Sequence, residues 1–445
     1  MAKKYNLTEQ TDSNAVVAED RIPINFLDES DDNPNTLRLL SLFSGCGGMD
    51  IGFEGGFIAP RKSFIENSFW IDQQIDNDWV LLKKNRFSTI FANDILPEAE
   101  AGWITYMSRF KHPSDTYHRI SLVDLVKMHN QGAIVFPEKV DIVTGGFPCQ
   151  DFSVAGKRKG FESNKDHEGK LRVDDIPSEE SRGKLYYWMK QVIDITRPKV
   201  FVAENVKGLI SLGDVKDIIQ HDFASADGNG YIVLNPQVLH AANYGVPETR
   251  ERVIFIGIRI DALRKEALIA LNQEIIPDKY NPYPQPTHNC TTNDASLLPI
   301  VTTRDVLGKL PEPNVAFDPA QAHFSKAKFL NHGQGQTEIK LDWLGPTIRS
   351  EHHGNIEFRR LSEEHGGKYV NELAEGKIER RLTPRECALI QTFPPDYEFV
   401  IKGDGRNYKL SASGAYKIIG NAVPPVLAYH IAKRLEEVWP LYFDD

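Results

Sequence analysis

The stretch LRLLSLFSGCGGMDIGFEGGF, residues 37–57, decides the fold class of this 445-residue chain. Its first residues, Leu37–Leu42, are apolar enough for a buried strand, and they run into the glycine-rich turn Gly45-Cys-Gly-Gly and then into a helical pattern. A strand that ends in glycines at a helix N-terminus can bring backbone N–H groups close to a nucleotide-like ligand. The glycines lack the GxGxxG spacing of dinucleotide-binding turns, and roughly half of such turns are only tight strand–helix connections.

Strands and helices are predicted to alternate along the chain that follows. Further apolar strands are indicated near residues 88–92, 140–144, 200–203 and 252–258, with a helix near 185–196. This alternation predicts an α/β fold with a doubly wound, Rossmann-like sheet. Prolines interrupt the chain after Ile260, which predicts a second, smaller and irregular domain. The predicted organisation is an acidic, flexible leader at residues 1–36, a first domain at 37–262 plus 411–445, and a second domain at 263–410.

Composition and charge exclude several classes of protein. Hydrophobic residues make up 41% and charged residues 26%, which is ordinary globular usage and argues against disorder, collagen and coiled coil. Lys and Arg total 52 against 62 for Asp and Glu, a net charge of −10, so a polyanionic partner would need a locally basic cleft. No apolar run suits a membrane helix or a secretory signal, which predicts a cytoplasmic protein. The cysteines are too scattered for a metal knuckle or a disulfide framework, so no metal site is predicted.

A second glycine-rich segment, GGFPCQDFS at Gly145–Ser153, follows a predicted strand directly. The carboxyl end of a strand is where α/β proteins place their ligand crevice. Pro148 stiffens the backbone just before Cys149, which directs the thiol. A lone cysteine is a small core residue in roughly nine cases of ten. The polar, glycine-rich loop that follows argues against that default interpretation for Cys149.

Charged residues stand at two further predicted strands. Glu204 ends the apolar strand near 200–203, where burial would raise its pKa and let it donate as well as accept a proton. Taken alone, such a glutamate is a helix cap or a salt-bridge partner about two times in three. Arg250 and Arg252 are two residues apart and would face the same side of a strand. Surface arginines on an edge strand are the default interpretation.

Six segments together resemble the motif series of the DNA cytosine-5 methyltransferases, in that family's order. Four of them are the segments described above: the glycine-rich turn after Leu42, GGFPCQDFS, VAENV at Val202–Val206 and PETRERVIFIG at Pro247–Gly257. The other two lie near the C-terminus and are RRLTPRECALIQTFP at Arg380–Pro394 and GNAVPPVLAYHIA at Gly420–Ala432. The combination of PCQ, ENV and RxR is highly specific, and the motifs cover most of the chain. The resemblance implies a methyltransferase sheet, with catalysis and S-adenosylmethionine binding in the first domain and target recognition in the second.

The resemblance also implies the roles of the charged residues and the cysteine. In this family the cysteine of PCQ attacks carbon 6 of a cytosine, and here that residue is Cys149. The addition lets carbon 5 take a methyl group from the sulfonium of S-adenosylmethionine. Glu204 is expected to bind the ring nitrogen and the amine of the base, Arg252 to hold its carbonyl, and Arg250 to organise the site. The base must leave the helix to reach this pocket, so base flipping is implied.

A cofactor site for S-adenosylmethionine is implied at the first motifs. The expected contacts are Phe43, Gly45, Gly47, Asp94, Leu185 and Asn421, with Asp94 on the ribose hydroxyls. The chain departs from the family at three places: Glu248 stands where a glutamine precedes RxR, Ile95 where an aromatic residue often follows the ribose acid, and Arg119-Ile120 where an Asp-Ile pair is usual.

Double-stranded DNA is the implied partner. Lys157, Arg158 and Lys159 in the loop after Cys149 are expected to meet phosphates, although such a basic run is merely a solvated face about one time in three. Arg349, beside the family's short Thr-Ile element, is a candidate base or phosphate contact. The implied protein is a bacterial restriction–modification methylase that acts as a monomer and is paired functionally with a restriction endonuclease. Two alternatives stay open: an RNA cytosine-5 methyltransferase, since one branch with these motifs modifies transfer RNA, and a non-catalytic DNA-binding regulator.

Overall fold

Strands and helices alternate through much of the described chain. The computed structural model of the protein describes residues 35–113, 115–148, 185–292, 294–325, 337–350 and 357–444. The strands are β1 (Leu37–Leu42), β2 (Ile58–Pro60), β3 (Ile71–Gln74), β4 (Trp79–Leu82), β5 (Phe87–Asn93), β6 (Tyr117–His118), β7 (Ile142–Gly146), β8 (Val200–Val206), β9 (Tyr231–Val233), β10 (Gln237–His240), β11 (Glu251–Arg259), β12 (Phe358–Arg360), β13 (Arg380–Arg381), β14 (Ile401–Lys402) and β15 (Tyr408–Leu410). The α-helices are α1 (Gly48–Glu54), α2 (Pro97–Met107), α3 (Leu122–Asn130), α4 (Leu185–Thr196), α5 (Val215–Ala224), α6 (Ala226–Asn229), α7 (Lys265–Leu271), α8 (Thr303–Leu307), α9 (Pro319–Ala322), α10 (Val370–Ala374), α11 (Pro384–Ile390), α12 (Ala412–Asn421) and α13 (Pro425–Tyr442).

The strand β1 lies at the centre of the main sheet. The strand order is β10-β11-β8-β7-β1-β5-β6, and β9 also pairs with β11. The strands β6, β5, β1, β7 and β8 pair in parallel, whereas β9, β10 and β11 form an antiparallel edge. From β1 the chain builds first toward β5 on one side and later toward β7 on the other. The strand order therefore reverses at β1, which opens a crevice at the carboxyl ends of these strands.

Both faces of the main sheet are covered. Leu39 and Leu40 of β1 are fully buried in two separate hydrophobic clusters, because adjacent residues of a strand face opposite sides. The helices α1, α2 and α13 contribute to the cluster that contains Leu39. The helices α3, α4 and α5 contribute to the cluster that contains Leu40. The prediction of a doubly wound, Rossmann-like sheet is confirmed.

The last helix is longer than predicted. The family resemblance implies a final helix over residues 426–435, but α13 extends over Pro425–Tyr442 and passes through Pro440. Proline removes a backbone donor and normally ends a helix. Trp439 and Tyr442 are fully buried, so packing of the last turns against the core outweighs that cost. The small antiparallel sheet of β2, β3 and β4 is another element that the sequence analysis does not predict.

The described residues between 263 and 410 form short elements and long connections. The strands β12 and β13 form one antiparallel pair and β14 and β15 another. The helix α11 begins where its sequence requires, because Thr383 and Glu386 form a capping box and Pro384 lies in the first turn. The irregular character predicted for this part of the chain is observed, while the division into two domains and a leader stays a prediction. None of the helices in the described ranges is long and apolar enough to cross a membrane.

Candidate active site

The carboxyl ends of β1, β5, β7 and β8 meet at one edge of the main sheet. The last residues of β1 and β5 are opposite each other, and Gly146, the last residue of β7, is opposite Glu204 of β8. Phe43 and Asp94 directly follow β1 and β5. The sheet therefore brings Phe43, Asp94 and Glu204 to a common edge, although they are far apart in the sequence.

Glu204 and Arg252 form a buried ion pair at this edge. In the antiparallel pair of β8 and β11, Arg252 is opposite Val206, two residues beyond Glu204, so both charged side chains share one face. Arg252 Nε lies 2.6 Å from Glu204 Oε1, and each side chain is 9% exposed. Burial raises the pKa of the Glu204 carboxyl, and the charges of Arg252 and Arg250 partly offset the rise. The carboxyl therefore keeps its proton to a higher pH than an exposed glutamate does.

A close approach between β7 and β8 positions Phe147, the first residue after β7. A Cβ on Gly146 would lie 2.8 Å from Glu204 Oε2, so glycine lets the carboxyl group reach the end of β7. Asn205 Nδ2 donates to Phe147 O at 3.1 Å and thereby holds the first residue of the loop. Two residues later the chain reaches Cys149, outside the described ranges. Asn205 is the second residue of the ENV motif, and its role in holding Phe147 was not predicted.

Four predicted site residues lie outside the described part of the chain, and their roles stay predictions: Cys149, Lys157, Arg158 and Lys159.

Leu185 is the first residue of α4 and is buried. Asn421 is the last residue of α12 and is exposed, and Arg349 is half-buried. Neither Asn421 nor Arg349 lies on the main sheet. Their positions relative to the sheet are set by the contacts of α12 and of the segment at 345–350.

The glycine turn after β1 is held by hydrogen bonds to its backbone. Gly45 N donates to Asp94 Oδ2 and Tyr117 OH donates to Gly45 O, each at 3.1 Å. Phe43 has a φ of 52° and Gly45 a φ of 55°, so the chain turns sharply through the left-handed region. A Cβ on Gly45 would meet no atom within 4 Å. This leaves open space close to the Asp94 carboxylate.

Buried hydrogen bonds to the Asp50 carboxyl group support the glycine turn after β1. Asp50 of α1 accepts hydrogen bonds from Ser41 Oγ at 2.6 Å and from Trp103 Nε1 at 2.7 Å. The Trp103 ring lies under Gly47, where a Cβ would be 2.9 Å from the ring atom Cδ1. Burial raises the pKa of Asp50 to about 6, against the two hydrogen bonds, which lower it. No local pattern in the sequence connects Asp50 with Trp103.

Arg250 contacts different partners from Arg252. It lies one residue before β11, and its side chain is fully buried. Its guanidinium donates to three backbone carbonyls, those of Ile348, Gly420 and Ala422. Arg250 therefore links three segments of backbone, whereas Arg252 pairs with the carboxyl group of Glu204.

Comparisons with known proteins agree with this arrangement. The family model for C-5 cytosine-specific DNA methylases matches residues 37–437. The chain is 32% identical over 422 residues to the type II methyltransferase M.BsuRI of Bacillus subtilis, covering 93% of this chain and 82% of that protein. It is 31% identical over 429 residues to the type II methyltransferase M.BspRI of Lysinibacillus sphaericus, covering 94% and 86%. The fold resembles that of the S. pombe Dnmt2 methyltransferase, with a TM-score of 0.51 at 17% identity, covering 90% of this chain and 98% of that one. The chain therefore belongs to the C-5 cytosine-specific DNA methylase family.

Proposed function

We propose that the protein transfers a methyl group from S-adenosylmethionine to carbon 5 of a cytosine in a specific double-stranded DNA sequence, through a covalent adduct with Cys149. Family membership gives the reaction class, DNA cytosine-5 methylation. The observation that carries the finer proposal is the buried Glu204–Arg252 pair beside the segment that leads to Cys149. A carboxyl group whose pKa is raised by burial and a fixed guanidinium match the ring nitrogen and the carbonyl of a cytosine.

The residues at the ends of β1 and β5 fit S-adenosylmethionine. The Asp94 carboxylate can accept hydrogen bonds from two ribose hydroxyls. The open space at Gly45 leaves room for a ligand close to the backbone. Further proposed contacts are Phe43, Gly47, Leu185 and Asn421. When bound, the cofactor would supply an electrophilic methyl group on a sulfonium centre.

In the proposed reaction the chain activates the base. The Cys149 thiolate adds to carbon 6 of the cytosine, and the electrons of the 5,6 double bond move toward carbon 5. Glu204 donates its proton toward the ring nitrogen and Arg252 donates to the base carbonyl, so both stabilise the charge that develops on the ring. After methyl transfer a solvent water takes the carbon-5 proton, and the electrons of that C–H bond restore the 5,6 double bond and expel the thiolate. The proton on the ring nitrogen returns to Glu204.

The proposed partner is duplex DNA. Lys157, Arg158, Lys159 and Arg349 are the proposed contacts with phosphates or bases. The target base is flipped out of the helix in this proposal, since a stacked base does not expose its face to a thiolate. By analogy with its type II relatives, we propose that the protein protects host DNA from a cognate restriction endonuclease. We further propose that it acts as a monomer.

Transfer of labelled methyl groups tests the proposal against its two alternatives. The protein is incubated with methyl-labelled S-adenosylmethionine and either unmethylated duplex DNA or transfer RNA. We expect label in DNA only, at cytosines whose positions bisulfite sequencing then identifies. Label in transfer RNA would favour an RNA methyltransferase, and label in neither polymer would favour a DNA-binding regulator.

Gly45→Ala is expected to prevent cofactor binding without unfolding the protein. A Cβ on Gly45 enters the open space proposed for the cofactor. Gly213→Ala is the matched control, because Gly213 has a φ of +48° against +55° for Gly45 and equally open surroundings. Each variant should lose about 1–2 kcal/mol of stability from the strained backbone. Calorimetric titration with S-adenosylmethionine should detect binding by Gly213→Ala only, and equal affinities in the two variants would contradict the proposed cofactor site.

A further inference from the structure

The backbone N–H and C=O of Ile348 are each held by a buried charged residue. Ile348 lies in the segment at residues 345–350, which we call the recognition segment. Ile348 N donates to Glu248 Oε1 at 2.7 Å, and Arg250 Nη1 donates to Ile348 O at 3.0 Å. Arg250 Nη1 also lies 3.6 Å from Glu248 Oε1, and both side chains are 0% exposed. We refer to Glu248, Arg250 and Ile348 as the Ile348 clamp.

The clamp reaches a third segment through the same arginine. Arg250 Nη2 donates to Gly420 O at 2.9 Å and to Ala422 O at 2.7 Å, the carbonyls on either side of Asn421. Gly420 is also pressed against the recognition segment, since a Cβ there would lie 2.2 Å from the carbonyl carbon of Arg349. The turn that carries the proposed cofactor contact therefore touches the segment that carries the proposed DNA contact.

Stability alone does not account for the clamp. A buried ion pair gains little net stability, because desolvation of the two charges offsets their attraction. Glu248 Oε2 is also buried without a hydrogen-bond partner among the described residues, which costs free energy. Buried charges can instead serve to fix the position of the groups that they bind. Here those groups belong to the recognition segment and to the turn at the end of α12.

We propose that Glu248 and Arg250 are positioning residues that couple DNA binding to cofactor binding, an inference that rests on the proposed function. Arg252, which would hold the base, lies two residues from Arg250. Arg349 and Asn421 each lie one residue from a carbonyl that Arg250 binds. If DNA binding moves the recognition segment, the Arg250 guanidinium moves with it, because it is hydrogen-bonded to Ile348 O. The same guanidinium is hydrogen-bonded to Gly420 and Ala422, so the turn at the proposed cofactor site moves as well. Linkage makes the effect reciprocal, so DNA and cofactor change each other's affinity by the same factor.

The coupling is the ratio of the Kd values of S-adenosylhomocysteine without and with saturating unmethylated duplex DNA, measured by calorimetry. We expect a ratio of about ten for the wild type. The ratio should approach one for Glu248→Ala, which removes the acceptor of the Ile348 N–H. It should be largely retained by Glu248→Gln, which keeps an oxygen acceptor. Glu312→Ala is the matched control, because Glu312 is paired with Arg360 and Arg380 and not with the clamp.

The outcomes separate this inference from the proposed function. Failure of the wild type to bind S-adenosylhomocysteine or DNA contradicts the proposed function itself. If the wild type binds both ligands with a ratio of one, or if Glu248→Ala keeps the wild-type ratio, the positioning role is wrong. If the ratio of Kd values also approaches one for Glu312→Ala, the effect comes from a general loss of packing and not from the clamp. That result would equally overturn the inference. Should Glu248→Ala not fold, Arg250→Lys replaces it, because lysine keeps the charge but lacks the fork that reaches several carbonyls.

Discussion

Methyl transfer by the Cys149→Ala variant is expected to fall by about 10⁴-fold or more, while DNA binding is retained. Without the thiolate, carbon 6 is not attacked and carbon 5 of the cytosine stays a poor nucleophile. Glu204 and Arg252 are fixed by the pairing of β8 with β11, so the groups proposed to bind the base do not depend on the thiol. Initial rates of methyl incorporation and gel-shift titrations measure the two effects separately.

A matched cysteine variant and a chemical trap complete this test. Cys290 is a partly exposed free cysteine that the proposed site does not include, so Cys290→Ala should methylate DNA at the wild-type rate. Duplex DNA with 5-fluorocytosine should stay covalently attached to the wild type, since fluorine cannot depart as a proton does. The same DNA should dissociate from Cys149→Ala on denaturation. Methyl incorporation by that variant, or release of every wild-type complex, would remove Cys149 from its proposed role.

Features that repeat a local pattern were predictable from the sequence. The apolar runs that become β1, β8 and β11 are recognisable because a buried strand needs continuous apolar residues. Glu204 and Arg252 stand out because each places a charge at an end of such a run, and the family resemblance implies their roles. Their motifs indicated a shared site, but the 2.6 Å contact depends on the register between β8 and β11. Register is a property of strand pairing, and neither segment encodes it alone.

Contacts between segments that are distant in the chain could not be predicted from the sequence. Glu248 and Ile348 are 100 residues apart, and their hydrogen bond depends on the parallel bridge between Glu248 and Gly345. The sequence marked Glu248 only as a departure from the family glutamine. The raised pKa of Asp50 likewise comes from burial in the packed molecule, which the residue type does not determine. The contacts that we propose to couple the two ligands therefore follow from the structure and not from the sequence.

Glu204→Gln is expected to lower the rate of methyl transfer by about 10²- to 10⁴-fold, the range usual for loss of a general acid. The glutamine side chain has nearly the same shape and can still accept from Arg252 and donate a hydrogen bond to the base. It cannot deliver a proton to the ring nitrogen as charge develops. The rate constant of a single turnover should therefore fall much more than the affinity for DNA, which gel-shift titration measures.

The pH dependence of that rate distinguishes loss of a proton donor from loss of shape. Burial raises the pKa of Glu204, so more of this carboxyl is protonated at neutral pH than of an exposed one. As the pH rises through that pKa the protonated fraction falls, and the contribution of Glu204 to the wild-type rate should fall with it. This decline should be absent from Glu204→Gln, whose amide does not titrate. Glu251→Gln is the matched control, since Glu251 pairs with the exposed Lys207 and should keep the wild-type rate and profile. If Glu204→Gln still shows the wild-type decline, another group supplies the proton, and the role of Glu204 reduces to holding Arg252.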